Sequence, residues 1–339
     1  MSDTHEPIAK VGLGTDGPLV GVQGLGCMGI SEFYGPTDDT AARATLEEAL
    51  ALGVTLFDTA DVYGLGANEE FLAPFVRAHR DEITLATKFG IARKADDLRY
   101  RGVRNDPAYI RQAVDASLRR LGVDVIDLYY MHRRDPAVPF AESVGAMAEL
   151  VRAGKVRHLG LSEVTGAELR EAHAVHPVTA VQSEWSLFSR DVEVSLAGAA
   201  AELGVAVVPY SPLGRGFLAG SFRNASELGA DDFRQAQPRF TGENAQRNAD
   251  LLEPLRAAAQ AHDATPGQIA LAWVQQRAQV HGLAVVPIPG TRRAERVREN
   301  TAATRIVLDE AELGRLEPIA GQVAGDRYAD MSSTSAARE

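Results

Sequence analysis

Residues 83–132 contain two apolar runs, ITLATK at 83–88 and VIDLYYMH at 125–132, on either side of a helical segment. Both runs are short and continuous, which is typical of parallel strands that helices cover on the outside. The segment between them extends from Pro107 to Leu121 and ends at Gly122, a residue type common just after a helix. A strand, a helix and a second strand in this order predict a parallel sheet.

The same alternation extends over most of the chain. Further helical segments run from Thr40 to Leu52 and from Phe140 to Arg152, each followed closely by glycine. The other apolar runs are VGVQGLG at 20–26, VTLFDT at 54–59, VRHLGLS at 156–162, TAVQSE at 179–184, VAVVPYS at 205–211 and LAVVPI at 283–288. About eight such units close a (β/α)8 TIM barrel, whereas an open doubly wound sheet usually has about five to seven strands. We therefore expect an α/β protein with one barrel domain over residues 1–339, ordered at about 8–322.

Three segments outside this repeat have expected roles of their own. Thr15-Asp16-Gly17-Pro18 lies between short apolar runs and predicts an N-terminal β-hairpin that caps the bottom of the barrel. The long connection from Pro212 to about Phe240 is typical of a lid or a binding loop. The tail after Val323 is small and polar, so we expect it to fray.

Composition restricts the possible partners and the compartment. The formal net charge is −11, which argues against nucleic acid and anionic membranes, because both bind broad basic surfaces. The single cysteine, Cys27, cannot form an internal disulfide and fits a reducing compartment. The N-terminus lacks the pattern of a signal peptide, and no stretch approaches the about 20 apolar residues that span a membrane. We expect a cytoplasmic protein, and its oligomeric state stays open.

Two glycine motifs match the dinucleotide fingerprint G-x-G-x-x-G without its context. GLGCMG at 24–29 follows a strand, but a polar loop at 31–39 stands where the fingerprint requires a helix start. GLGTDG at 12–17 matches the same pattern inside the predicted hairpin. We therefore reject a Rossmann site. The sequence also has no Walker A motif, no zinc-ligand spacing and no G-x-S-x-G elbow.

Four polar residues follow or end successive predicted strands: Asp58, Tyr63, Lys88 and His132. Each alone has an ordinary explanation, such as a carboxylate that accepts from loop amides or a histidine in the core. In a parallel barrel, however, the carboxyl ends of all strands meet at one mouth, where active sites lie. An acid, a base and an imidazole would therefore converge there.

With these residues in place, the chain resembles the aldo-keto reductase superfamily over nearly its whole length. The motifs that carry the resemblance are GLGCMG at Gly24, FDTADVYGLGANEE at Phe57, TKFG at Thr87, DLYYMHRRD at Asp127, GKVRHLGLSE at Gly154, VQSEWS at Val181, PYSPLGRGFLAG at Pro209 and VVPIPGTRRAERVREN at Val285. They are most similar to the branch with bacterial general-stress reductases, plant auxin-induced-type reductases and potassium-channel β subunits.

The resemblance implies an oxidoreductase that reduces aldehydes and ketones to alcohols by hydride transfer from NADPH. Tyr63 would be the general acid, and Lys88 would lower the pKa of its phenol from about 10. Asp58 would pair with Lys88. His132, as a neutral donor, would orient the carbonyl and stabilise the developing oxyanion. No metal is implied.

The resemblance also implies the contacts with NADP(H). They are Cys27, Met28, Asp58, Ser162, Gln182, Tyr210, Ser211, Leu213, Arg215, Gly290, Thr291, Arg292, Arg296, Glu299 and Asn300. Ser162 and Gln182 would bind the carboxamide, and Tyr210 would stack on the nicotinamide. The family often has asparagine at the position of Glu163, and a carboxylate can only accept hydrogen bonds, so the role of Glu163 is open.

Phosphate recognition should depend on arginines. Arg292 and Arg296 are four residues apart at the expected start of a helix, which would place both on one face with Thr291 near the ribose 2′-phosphate. Many relatives have a lysine at the position of Gly290. Without that lysine the preference for NADP(H) is weaker, but NADP(H) stays the expected cofactor.

The substrate is not specified by these motifs. Phe33, Tyr34 and Trp185 suggest an apolar or aromatic carbonyl compound as the small-molecule partner. Cations in the loop after the third strand could favour an anionic group, but a solvated loop is the favoured explanation for them: Arg93, Lys94, Arg99, Arg101 and Arg104. Two alternatives stay open, an NADPH-sensing regulatory subunit with slow turnover and another barrel enzyme.

Overall fold

The computed structural model describes residues 6–35, 37–94, 97–229 and 232–339, with the backbone alone at position 94 and at 97–101. A short antiparallel hairpin pairs β1 (Lys10–Gly12) with β2 (Leu19–Gly21). The main sheet is parallel and contains β3 (Leu25–Gly26), β4 (Leu56–Asp58), β5 (Thr84–Phe89), β8 (Ile126–Met131), β9 (Val156–Ser162), β10 (Ala180–Glu184) and β11 (Ala206–Tyr210). A second hairpin, β6 (Ile91–Lys94) and β7 (Asp97–Val103), follows β5.

The sheet closes into a barrel through the segment 284–290. Isolated parallel bridges join Val285 to Val207 at one edge of the sheet and Gly290 to Gly26 at the other. A Cβ atom on Gly290 would lie 3.1 Å from the carbonyl oxygen of Gly26, so a glycine here lets the two edges approach. The predicted (β/α)8 barrel is confirmed, with its eighth strand reduced to these bridges.

Helices cover the outside of the barrel. They are α1 (Asp39–Ala51), α2 (Ala67–Ala78), α3 (Pro107–Leu121), α4 (Phe140–Arg152), α5 (Gly166–Val175), α6 (Leu196–Leu203), α7 (Gly242–Asp250), α8 (Glu253–Ala261), α9 (Pro266–His281), α10 (Ala294–Ala302) and α11 (Glu310–Leu316). The bounds of α3 follow from its sequence, because Asp106 caps its first turn and Gly122 ends it at φ 66°. None of the helices in the described part of the chain is long and apolar enough to span a bilayer.

The predicted hairpin caps the barrel at the end opposite the site. Leu13 and Val20 are buried in the barrel interior against Leu56, Ala86 and Leu128. Thr15 donates its backbone N–H to the carbonyl of Gly204 at 2.9 Å, at the start of β11. The hairpin therefore seals the amino ends of the strands and leaves their carboxyl ends open for a site.

The C-terminal tail does not fray as the sequence predicts. Arg327, Thr334 and Ser335 are buried, and the segment lies against the carboxyl ends of the strands. The carboxylate of Glu163, at the end of β9, accepts hydrogen bonds from Arg327 and from the backbone of Ser335. A polar tail is thus anchored by ion pairs and hydrogen bonds, which its low hydrophobicity does not indicate.

Candidate active site

Four predicted residues meet at the carboxyl ends of the strands. Asp58 ends β4, Lys88 lies in β5, His132 follows β8, and Tyr63 begins a short 3-10 turn after β4. All four side chains are buried, Lys88 completely. The chain therefore brings together the acid, base and imidazole that the sequence placed at separate strand ends.

Lys88 is the centre of this group. Its ammonium donates to the carbonyl of Thr59 at 2.8 Å, lies 3.3 Å from the hydroxyl of Tyr63, and forms an ion pair with Asp58. The other carboxylate oxygen of Asp58 accepts from the amide of Gln182 at 2.8 Å. Burial alone would lower the pKa of Lys88, but Asp58 and Tyr63 outweigh it and raise that pKa. Lys88 is therefore a fixed cation beside the phenol.

The pKa of Tyr63 differs from the sequence expectation. Burial raises it, and the opposing charge of Lys88 does not overcome the loss of water, so the pKa lies above its ordinary value. The sequence-based expectation of a lowered pKa for Tyr63 is thus wrong. The phenol stays protonated, which is the state that a general acid requires.

His132 is neutral. Burial and the nearby positive charges of Arg133 and Lys88 hold its pKa well below the ordinary value. Its ring lies edge-on to Tyr63 with the centroids 6.0 Å apart, and both side chains face the same cavity. A neutral imidazole beside a protonated phenol can offer two hydrogen-bond donors to one oxygen atom.

A cavity of about 670 Å³ opens above these residues. Its wall includes nearly all the residues that the sequence predicted for the cofactor: Met28, Asp58, Ser162, Gln182, Tyr210, Ser211, Leu213, Arg215, Gly290, Thr291, Arg292, Arg296, Glu299 and Asn300. Cys27 is the exception, because it lies between Gly26 and Met28 and its thiol points to the opposite side, into the core.

Comparison with known proteins assigns the chain to a family. A family model described as the aldo/keto reductase family matches residues 24–320. The chain belongs to the aldo/keto reductase family. A probable aldo-keto reductase 1 of Glycine max is 43% identical over 331 residues, which cover 96% of this chain and 93% of that relative.

Solved structures agree with the barrel. An aldo-keto reductase from Bacillus halodurans in its holo form is 27% identical, with a TM-score of 0.76 over 95% of this chain and 100% of that one. A glycerol dehydrogenase from Gluconobacter oxydans is 27% identical, with a TM-score of 0.80 over 97% of this chain and 99% of that one. Members of the family use nicotinamide cofactors. The predicted resemblance is confirmed.

In this member of the family, the loop after β11 is curled by unusual backbone angles. Ser211, Gly214, Arg215 and Gly216 all have positive φ, and their turns are closed by local hydrogen bonds. The guanidinium of Arg215 donates to Glu184 at 3.1 Å. Such a run of left-handed residues turns successive amides toward one side, an arrangement that binds anions elsewhere.

The far end of the cavity differs in detail from the predicted clamp. Helix α10 begins at Ala294, so Arg292 precedes it and does not share a helix face with Arg296. Arg292 instead donates to the carbonyls of Tyr34 and Gly35 at 2.6 and 2.9 Å. Arg296 forms an ion pair with Glu299. The two guanidinium groups thus have different partners, although both line the cavity.

At the substrate end, two of the three predicted aromatic residues line the cavity. Phe33 and Tyr34 line the cavity, but Trp185 is fully buried outside it and donates its indole N–H to Glu193 at 3.0 Å. Gln182 lines the cavity and Glu184, two residues further on the same side of β10, binds Arg215, so strand alternation turns Trp185 away. Phe233 from the long loop and Tyr328 from the tail line the cavity instead. In the sequence, Phe233 and Tyr328 could have been found as aromatic residues within otherwise polar segments.

Glu163 explains the position of the tail. The backbone of Glu163 has φ 52°, and its side chain is fully buried. The carboxylate accepts hydrogen bonds from Tyr210 at 2.7 Å and from two nitrogens of Arg327 at 3.1 and 3.2 Å. Burial alone would raise the pKa of Glu163, but Arg327 and Arg133 outweigh it and hold the pKa at about 2. Glu163 therefore connects the tail to Tyr210, a predicted cofactor contact.

Proposed function

We propose that this protein is an NADPH-dependent reductase of aldehydes and ketones, with Tyr63 as the general acid. The observation that carries the proposal is the hydrogen-bonded chain from the hydroxyl of Tyr63 through Lys88 to Asp58 at the floor of the cavity. Tyr63 donates its proton to the carbonyl oxygen, and Lys88 stabilises the phenolate that remains. His132 donates a second hydrogen bond to the same oxygen as negative charge develops there.

The residues above the floor fit a nicotinamide cofactor, which when bound supplies the hydride. The amide nitrogen of Gln182 is fixed by Asp58, which leaves the amide oxygen of Gln182 available to accept from a carboxamide. Ser162 lies beside it in the wall of the cavity, and Tyr210 offers a ring face held by Glu163. The curled loop at 211–216 would face the pyrophosphate.

The preference for NADPH over NADH is supported by the charge at the far end. Thr291, Arg292 and Arg296 line the cavity where the ribose phosphate would lie. A protein with a net charge of −11 must hold a phosphate by short contacts, because its overall field repels anions. We assign the 2′-phosphate mainly to Arg296, which would exchange its contact with Glu299 for the phosphate.

The proposed compartment is the cytoplasm and the proposed partner is a small carbonyl compound. The single free cysteine, buried Cys27, is compatible with reducing conditions. The acidic surface supports neither nucleic acid nor an anionic membrane as a partner.

The test is steady-state consumption of NADPH with a panel of aldehydes and ketones, with the alcohol products identified by mass spectrometry. Repeated turnover with stoichiometric alcohol supports a reductase. A cofactor that stays bound after at most one turnover with every carbonyl in the panel would refute it and favour a cofactor-sensing protein. Parallel titrations with NADPH and NADH decide the cofactor.

A further inference from the structure

Two arginines in the wall of the cavity lack an ion-pair partner among the described residues: Arg133, and Arg292, whose guanidinium is held by the backbone carbonyls of Tyr34 and Gly35. Other arginines of the wall are paired: Arg93 with Glu32 at 2.7 Å, Arg215 with Glu184 at 3.1 Å and Arg234 with Asp232 at 2.6 Å. Arg133 forms no ion pair within the described part of the chain. Its contacts are one backbone carbonyl, that of His132 at 2.7 Å, and the hydroxyl of Ser162 at 3.2 Å.

Both contacts of Arg133 use a single nitrogen, Nη1. The side edge formed by Nε and Nη2 has no hydrogen-bond partner among the described residues. This edge has two parallel N–H groups and matches the two oxygens of a carboxylate. Arg234 shows this geometry in the same cavity wall, where Nε and Nη2 donate to the two carboxylate oxygens of Asp232 at 2.8 and 2.6 Å.

The free edge is close to the reacting groups. Arg133 directly follows His132, and both line the cavity together with Tyr63. The charge of Arg133 lowers the pKa values of Tyr63 and His132, which requires the guanidinium to lie near both rings. Burial alone would lower the pKa of Arg133, but Tyr210 and Glu163 raise it, so the side chain stays charged.

Arg133 lines the cavity, and a ligand carboxylate there would make the hydrogen bonds that its Nε–Nη2 edge leaves unmade. The charge of Glu163 acts on Arg133, but the two oxygens of Glu163 bind Arg327, so this carboxylate does not occupy the Arg133 edge. A single two-donor edge fits a monoanionic carboxylate, whereas a phosphate dianion would call for further cations. The apolar groups opposite, Phe33 and Ile91, suit a carbon skeleton.

We propose that Arg133 binds a carboxylate of the substrate, so that the preferred substrates are aldehydes or ketones that also carry a carboxylate. This inference rests on the proposed carbonyl reductase activity. Arg133 would add a specificity contact to the group formed by Tyr63, Lys88 and His132, and it would select the substrate by charge. In the sequence, only its place directly after the strand-ending His132 points to this role.

The test compares matched substrates in the wild type, Arg133→Met and Arg133→Lys. Succinic semialdehyde is paired with butanal, and 4-carboxybenzaldehyde with methyl 4-formylbenzoate. Loss of one charge-assisted pair in Arg133→Met should lower kcat/KM for each carboxylate by about 10-fold to 150-fold more than for its matched neutral aldehyde. Arg133→Lys keeps the charge without the two-donor edge, so its kcat/KM for the carboxylates should lie between that of the wild type and that of Arg133→Met.

A binding measurement separates this inference from the proposed activity. Titration of 4-(hydroxymethyl)benzoate into the protein saturated with NADP+ should give a dissociation constant that rises in Arg133→Met by the same factor, whether or not an aldehyde is turned over. Arg170→Met, which removes the same charge on the surface, should leave it unchanged. Equal losses for charged and neutral aldehydes, or weaker NADP+ binding with no change for the carboxylate, would overturn the inference and assign Arg133 to the cofactor.

Discussion

Replacement of Glu163 by glutamine should release the C-terminal tail while the barrel stays folded. The carboxylate of Glu163 is fully buried and holds Arg327, the backbone of Ser335 and the hydroxyl of Tyr210. Glutamine has nearly the same shape but no charge, so Arg327 would lose its two-oxygen partner and keep only longer contacts, with Asp191 at 3.4 Å and Glu184 at 4.0 Å. Breaking a buried pair in this way costs about 3 to 5 kcal/mol.

The pKa of Glu163 gives a second estimate of the same size. It is lowered from 4.5 to about 2, and about 2.5 units correspond to about 3 kcal/mol. Because the folded pKa is depressed, this stabilisation is present above about pH 4.5 and is lost as the pH falls toward about 2. The tail can detach without unfolding the barrel, so the loss should appear as local opening.

Hydrogen exchange measured by mass spectrometry tests this expectation. Amide protection in residues 327–338 should fall about 150-fold in Glu163→Gln at neutral pH, which corresponds to about 3 kcal/mol, while protection in the barrel strands should change little. Wild-type protein brought below about pH 4.5 should lose tail protection in the same residues, after correction for intrinsic exchange rates.

Glu202→Gln is the matched control. Glu202 pairs with Arg170 at 2.6 Å, but both side chains are about half exposed, and such surface pairs contribute about 0 to 1 kcal/mol. Equal tail protection in Glu163→Gln and Glu202→Gln would show that Glu163 does not anchor the tail. A global loss of protection would show instead that the tail and the barrel unfold as one unit.

Four further predictions concern the proposed chemistry and the cofactor. Tyr63→Phe should keep NADPH binding and lower carbonyl turnover at least about 100-fold, since the ring stays and the acidic proton is lost; unchanged turnover with chemistry rate-limiting would contradict the assignment. Lys88→Met should raise the pKa of Tyr63 further and move the alkaline limb of the reduction pH profile upward, and an unmoved limb would argue against the pairing. Arg296→Ala should raise the dissociation constant of NADPH about 10-fold and leave that of NADH nearly constant in fluorescence titrations. Arg292→Ala should weaken both nucleotides, because Arg292 also holds the backbone of the loop near Tyr34.

The residues that the sequence placed correctly are those fixed by a single strand. Asp58, Lys88 and His132 each end or follow an apolar run, and parallel packing alone brings such ends to one mouth. The bounds of α3 likewise follow from Asp106 and Gly122, which act within one turn of the helix ends. Local signals of this kind need no knowledge of distant contacts.

The errors occur where a side chain's direction or partner depends on distant residues. The resemblance implies Cys27 as a cofactor contact, and Trp185 is expected in the substrate pocket, but alternation along the chain turns both side chains into the packing outside the cavity. Arg292 was placed on a helix that begins two residues later. A shift of one or two residues in an element's bounds or register changes the direction of such a side chain. Hydrophobic periodicity cannot resolve a shift of this size.

The position of Glu163 shows how a departure from the family pattern carries information. Where relatives often have an asparagine, which both donates and accepts, this chain has a group that only accepts. A buried carboxylate at this position must be surrounded by donors, and Arg327 and Ser335 supply them across a separation of more than 160 residues in sequence. The tail that brings these donors also brings Tyr328, whose hydroxyl lies 3.4 Å from that of Tyr210, into the cavity wall. The exchange of one amide for one acid therefore ties the shape of the substrate end to the C-terminus, and a relative with asparagine at this position has no carboxylate there to hold an arginine from its tail.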